Sequence, residues 1–222
     1  EARAIRAHAL SVLGNRVEAA RHIFRSSDGN PFDLINFSFR NPTLIDGMKL
    51  ARAALPARVA RRIEDTRIPF LVNATDFYAC KEMIIRSGPL TEAVAASIAI
   101  PGIIEAPEID GRLVIDGAMI NPVPFNHVAG KGRITVAIDV TGGPVPRRPG
   151  KKPGYTELAF GATQIMQLRI TALARQISPP DISISPEISP FRAHDFFKIK
   201  DILAAGDAEK DNLKRQIEAL MG

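Results

Sequence analysis

Residues 84–124 read IIRSGPLTEAVAASIAIPGIIEAPEIDGRLVIDGAMINPVP, and the order of turn signals and apolar runs in this stretch decides the fold. Ser87-Gly88-Pro89 turns the chain, and Pro89 suits the first turn of a helix predicted for Leu90 to Ile98. The residues of that helix are small and apolar enough for burial, and Pro101 ends it. Pro107 to Ile109 and Arg112 to Ile115 then flank Asp110-Gly111, a pair that accepts positive φ at both turn positions and so predicts a hairpin. Asp116 closes the second arm, and the run from Gly117 to Gly130 holds no Asp, Glu, Lys or Arg.

Upstream, Ile68 to Thr75 reads as a buried strand with Lys81 to Arg86 pairing near it. Asp46 is an N-cap for a helix through Ala54, and Pro56 stands near the start of a second helical piece, Ala57 to Glu64. Arg52, Arg58, Arg61 and Arg62 form the most basic local patch, read chiefly as a solvated helix face. Glu1 to Arg25 has the spacing of an amphipathic helix, and Leu34 to Phe39 is a short strand or extended loop. Downstream come a strand at Arg133 to Val140, a surface loop at Thr141 to Gly154 and a long helix at Tyr155 to Ile177. A strand at Asp181 to Ser185 and helices at Phe196 to Ala205 and Asp207 to Leu220 complete the chain. Strands alternating with helices predict an α/β fold, a mainly parallel sheet covered by helices on both faces.

The chain has 222 residues, 45% hydrophobic and 24% charged, which suits a single domain over 1–222 and excludes a disordered or low-complexity chain. One cysteine, Cys80, allows no internal disulfide, and with four scattered histidines it makes no metal-ligand spacing. A reducing, cytoplasmic location is expected. The charge-free run falls short of the roughly 20 apolar residues of a spanning helix, so no transmembrane segment is expected. A net charge of +5 favours anionic ligands or surfaces, but 6% aromatics and no Trp argue against nucleic acid. Neither a P-loop string nor G-x-G-x-x-G is present, which removes the dinucleotide reading and leaves nucleotide binding a distant option.

In open α/β sheets reactive groups gather where strands end, so Asp76, Asp116 and Asp139 are the carboxylates to weigh. Asp116 precedes the charge-free run. Desolvation there would raise its pKa and make it a competent base, while the competing reading is an Asp that caps a turn before Gly117. Asp110 is explained by its hairpin, and Asp139, with Thr141 and Gly142 after it, by anchoring a loop; Asp76, with Asn73 and Thr75 beside it, is read in the same way. His127 would complete a Ser-His-Asp set, against the commoner reading of a surface histidine; His8, His22 and His194 have no partners at metal spacing.

The stretch quoted at the outset closely resembles the patatin-like phospholipase family. That family carries a small-residue helix ending in A-S-x-A-x-P-G, here Ala96 to Gly102, then a hairpin with D-G-R, here Asp110 to Arg112. Its catalytic D-G-[GA] corresponds to Asp116-Gly117-Ala118, followed by Asn121, Pro122 and Pro124. The resemblance covers about residues 60 to 140 well. It implies a lipid acyl hydrolase with a Ser-Asp dyad, Asp116 as general base, Gly117 and Ala118 supporting it, and no metal or organic cofactor. Its implied partners are a lipid or other acyl ester substrate and a membrane surface contacted peripherally. The family's nucleophile lies in a G-x-S-x-G elbow, a string absent from residues 1–222, as is its Gly-rich oxyanion segment. Ser97 is a packing residue of its helix and no substitute. With Glu1 opening inside a helical pattern, the expectation is a domain truncated at its N-terminus, its serine upstream of residue 1; an inactive lipid- or partner-binding homologue is the rival.

Overall fold

The structure, a computed structural model, describes residues 45–56, 58–146, 150, 152–191 and 199–222. The helix expected at Glu1 to Arg25, the strand at Leu34 to Phe39 and the histidines His8, His22 and His194 lie outside these residues. The chain divides into two compact units, one ending at Ile120 and one starting at Asn121.

In the first unit, helix α1 spans Gly47–Ala54, and the Asp46 carboxylate caps it by accepting a hydrogen bond from the Lys49 N–H at 2.9 Å, as its sequence predicts. Helix α2, Leu90–Ser97, follows Pro89 and buries Leu90, Ala93, Val94, Ala95 and Ala96. Small side chains bring its backbone close to its neighbours. Ala51 of α1 and Ile63 pack with Val72, Leu90 and Val94 in one core cluster, and Ala96 packs with Ala74 and Val114 in another. Full burial of a side chain such as Ile63 or Val94 is worth about 1.5–3 kcal/mol.

Strands β1 (Val72–Asp76), β2 (Lys81–Ile85), β3 (Glu108–Ile109) and β4 (Arg112–Asp116) form one sheet in the order β2-β1-β4-β3. Every pair in it is antiparallel. Turns 77–80 and 110–111 are too short for the crossover a parallel pair requires, so the expectation of a mainly parallel sheet is not met by these strands. The hairpin at Asp110-Gly111 forms as expected, with φ of 50° and 73°. All five residues of β1 are buried, the mark of a strand covered on both faces.

The helix expected at Ala57 to Glu64 is absent from its described residues, which end in a short 3-10 turn, Ile63–Asp65. Its backbone is engaged elsewhere: the Ile63 N–H donates to the Gly88 carbonyl, and the Leu90 N–H donates to the Arg61 carbonyl. Arg52, Arg58, Arg61 and Arg62 are exposed but do not share a helix face.

In the second unit, β5 (Val136–Ile138) and β6 (Ile182–Ile184) pair in parallel across helix α3, Tyr155–Ile177, whose bounds match the sequence pattern. Val123, Phe125 and Ala137 form its core, with Ala174 of α3 packed against them. The expected strand Arg133 to Val140 shortens to three residues because Asp181 Oδ2 takes the Thr135 N–H at 2.6 Å at one end and Asp139 turns the chain at the other. Helices α4 (Ile199–Ala208) and α5 (Lys210–Met221) end the chain. No described helix is long and apolar enough to cross a membrane.

Glu64 ties the 3-10 turn to the loop before α2, accepting the Gly88 N–H at 2.8 Å and the Arg62 Nε at 2.7 Å. Hydrogen bonds from its own backbone N–H and from Gly88, with help from Arg62, hold its carboxyl below the usual carboxylate value. A depressed folded-state pKa stabilises the fold above the unfolded value and loses that contribution as pH falls through the folded one. Glu64→Gln therefore lowers the melting temperature at neutral pH. The gap to wild type closes on acidification below the carboxylate range, which thermal melts across pH measure; a gap independent of pH would contradict the assignment.

Candidate active site

Asp116 is 6% exposed at the C-terminal end of β4. Three separate elements fix it. Its N–H donates to the Ala99 carbonyl at 3.1 Å, in the turn that ends α2. Its carbonyl accepts the buried Thr75 hydroxyl of β1 at 2.9 Å. Its Oδ1 accepts the Ala118 N–H at 2.8 Å and so caps the 3-10 turn Gly117–Met119. The capping role weighed from the sequence is thus realised, and it orients the carboxylate through rigid backbone.

Gly117 is required by proximity. A Cβ at this position would lie 2.6 Å from the Asn73 carbonyl oxygen and from Asn73 Nδ2, so the turn rests directly on β1. Ala118 is buried beside it. The register places Asp116 opposite Ala74, between Asn73 and Thr75 of the neighbouring strand. Asn73 and Thr75, both buried, are site-building residues that the sequence names only as neighbours of Asp76. The signal that could have found them is the polar pair inside an otherwise buried five-residue strand, VNATD.

The other candidates serve the scaffold. Asp76 Oδ1 accepts the Ala79 N–H at 3.0 Å, closing the β1–β2 turn, and Oδ2 lies 3.6 Å from Arg112. Asp139 anchors its loop as expected: Oδ1 accepts the Thr141 N–H at 3.0 Å, and Oδ2 accepts Arg175 Nη2 at 3.0 Å. His127 is half-buried in the 3-10 turn Phe125–His127 of the second unit. Ser97 occupies the last turn of α2, with no strained elbow to present its oxygen. Among the described residues no group of three His, Cys, Asp or Glu is placed to hold a metal ion.

A family model described as patatin-like phospholipase matches residues 10–129. An uncharacterized NTE family protein of Mycobacterium bovis is 39% identical over 95 residues, 42% of this chain and 26% of its own length. A protein of the same description in Mycobacterium tuberculosis aligns with the same figures. A patatin-like phospholipase domain-containing protein of Caenorhabditis elegans is 24% identical over 206 residues, 78% of this chain and 15% of its own length. The chain thus spans about a quarter or less of the length of these relatives.

Two substitutions check the geometry. Gly117→Ala must displace backbone and destabilises by about 1–3 kcal/mol. Thr75→Val keeps the shape but leaves the Asp116 carbonyl short of a donor, at about 1 kcal/mol. Urea denaturation measures both, and an unchanged midpoint for Gly117→Ala would mean that the turn does not rest on Asn73.

Proposed function

Because this chain belongs to the patatin-like phospholipase family, we propose that it is part of a lipid acyl hydrolase in which Asp116 is the general base of a Ser-Asp dyad. The nucleophile in this reading is the serine of a G-x-S-x-G segment, a string that residues 1–222 do not contain. The observation that carries the proposal is the burial of Asp116 in the D-G-A turn, held by Ala99, Thr75 and Ala118 at the end of β4.

A carboxylate with a fixed orientation, within reach of a hydroxyl, takes its proton as the oxygen attacks the ester carbonyl, without an intervening imidazole. The same proton then passes to the departing alcohol as the tetrahedral adduct collapses to an acyl-serine. Water, deprotonated by the same carboxylate, releases the fatty acid and restores the serine. Rigid attachment to a strand end serves this chemistry, since misplacement by about 1 Å costs on the order of a hundredfold in rate. No metal or organic cofactor takes part in these steps. The substrate class is an acyl ester of a lipid, met at a membrane surface.

The second reading, a binding module without turnover, draws on the capping bond that engages Asp116 Oδ1 with the Ala118 N–H.

In the full-length protein, Asp116→Asn is isosteric and keeps the acceptor that caps Ala118, so the melting temperature changes little. Hydrolysis of a chromogenic acyl ester falls about 10²–10⁴-fold in kcat/KM. Turnover within a fewfold of wild type would remove Asp116 from the chemistry, and a full-length wild-type protein inert toward phospholipid, lysolipid and glyceride esters would favour the binding module.

A further inference from the structure

Helix α3 turns six of its large apolar side chains outward, more than a helix that serves only a core would. Tyr155, Leu158, Ile165, Met166, Leu173 and Ile177 are each half or more exposed, at 87%, 57%, 53%, 57%, 50% and 84%. At 100° per residue they fall within an arc of roughly 120°, and over the helix they run about 33 Å at 1.5 Å per residue. On the opposite side Gly161 lies against Pro144, Phe160 is half-buried, Thr171 is buried, and Ala174 packs on Val123, Phe125 and Ala137. Scattered exposed apolar residues are ordinary on a protein surface, but a continuous stripe of this length is an interaction surface.

Charge identifies the occupant. The exposed Arg169 stands inside the apolar arc, where its aliphatic stem can lie along the stripe with the guanidinium at the water boundary. The one acid of the helix, Glu157, falls outside that arc. The exposed Lys152 leads into the helix, the last of four cations in residues 147–152, a stretch without an acid. An apolar stripe with cations at its start and within it fits an anionic lipid surface, with the helix axis parallel to the bilayer. We propose that the outer face of α3 docks the protein on anionic membrane surfaces. This goes beyond the ester chemistry proposed above, because it rests on α3 alone and its test reads binding and not turnover.

The full-length protein is sedimented with vesicles of phosphatidylcholine alone and of phosphatidylcholine with about 30 mol% phosphatidylglycerol. The expected result is a partition onto the anionic vesicles at least several-fold above that onto the neutral ones, lost in high salt. Lys152→Gln lowers it roughly fivefold, and the pair Ile165→Gln with Met166→Gln, at exposed positions that leave the circular dichroism spectrum unchanged, lowers it by about tenfold or more. Equal partition onto neutral vesicles, no partition, or partition insensitive to these variants overturns the proposal. A lipid-free dimer that the Ile165→Gln, Met166→Gln pair dissociates also overturns it, since the face would then belong to a second copy. Asp116→Asn retains vesicle binding, so a protein that binds and never hydrolyses separates failure of the enzyme reading from failure of this one.

Discussion

A carboxylate at the buried end of a strand is costly unless its oxygens and the backbone around it find hydrogen-bond partners, and the arrangement of the first unit follows from meeting that demand at Asp116. Its N–H, its carbonyl and Oδ1 are taken by three different elements: the turn after α2, strand β1 and the 3-10 turn. Those partners converge only because the Gly117 backbone can lie directly on Asn73, a separation that leaves no room for a Cβ. The alanines of α2 answer the same need, since Ala96 must approach Ala74 and Val114 closely for Ala99 to reach the Asp116 N–H. The small-residue helix, the hairpin and the D-G-A turn are therefore parts of one packing solution, which is why they occur together in residues 84–124.

Where one residue type dictates local backbone, the sequence was readable. Asp110-Gly111 places two positive φ values where a tight hairpin needs them, Asp46 caps α1, and the periodicity of α3 marks both of its ends. Where backbone groups choose distant partners, it was not. Residues 57–64 have helical spacing, but Arg61 and Ile63 spend their backbone hydrogen bonds on Leu90 and Gly88, and a chain so engaged cannot also close helical turns. The sheet direction failed for a related reason. Alternation of strands and helices along the chain argues for parallel pairing, but β1–β2 and β3–β4 are joined by tight turns, and a hairpin admits only the antiparallel arrangement.

The candidate site shows the same division. Asp116 stood out because it ends an apolar strand and opens a charge-free run, both visible in sequence. Thr75 and Asn73 lie about forty residues away and matter only through the β1–β4 register, which nothing local encodes. Position along a strand also separates the three carboxylates physically. Asp76 and Asp139 each have an arginine partner, Arg112 and Arg175, and each ties its own following loop. Asp116 sits at the crossing of a helix end, a strand and a turn, which together fix its N–H, its carbonyl and Oδ1.

Helix α3 gives a second case in which packing alone does not account for the side chains present. A helix whose sole duty was to bridge β5 and β6 would gain most by turning leucines and isoleucines inward, at about 1.5–3 kcal/mol for each one fully buried. Here Gly161, Thr171 and Ala174 stand on the inner side, with Gly161 against Pro144 and Ala174 against the Val123, Phe125 and Ala137 cluster, and Phe160 is only half-buried. Leu158, Ile165, Met166 and Leu173 nevertheless face outward, at a cost in solubility that the core does not explain. The compensation must come from whatever the outer face meets, and the cations that accompany the stripe, Lys152 and Arg169, set the sign of the charge that this surface has to carry.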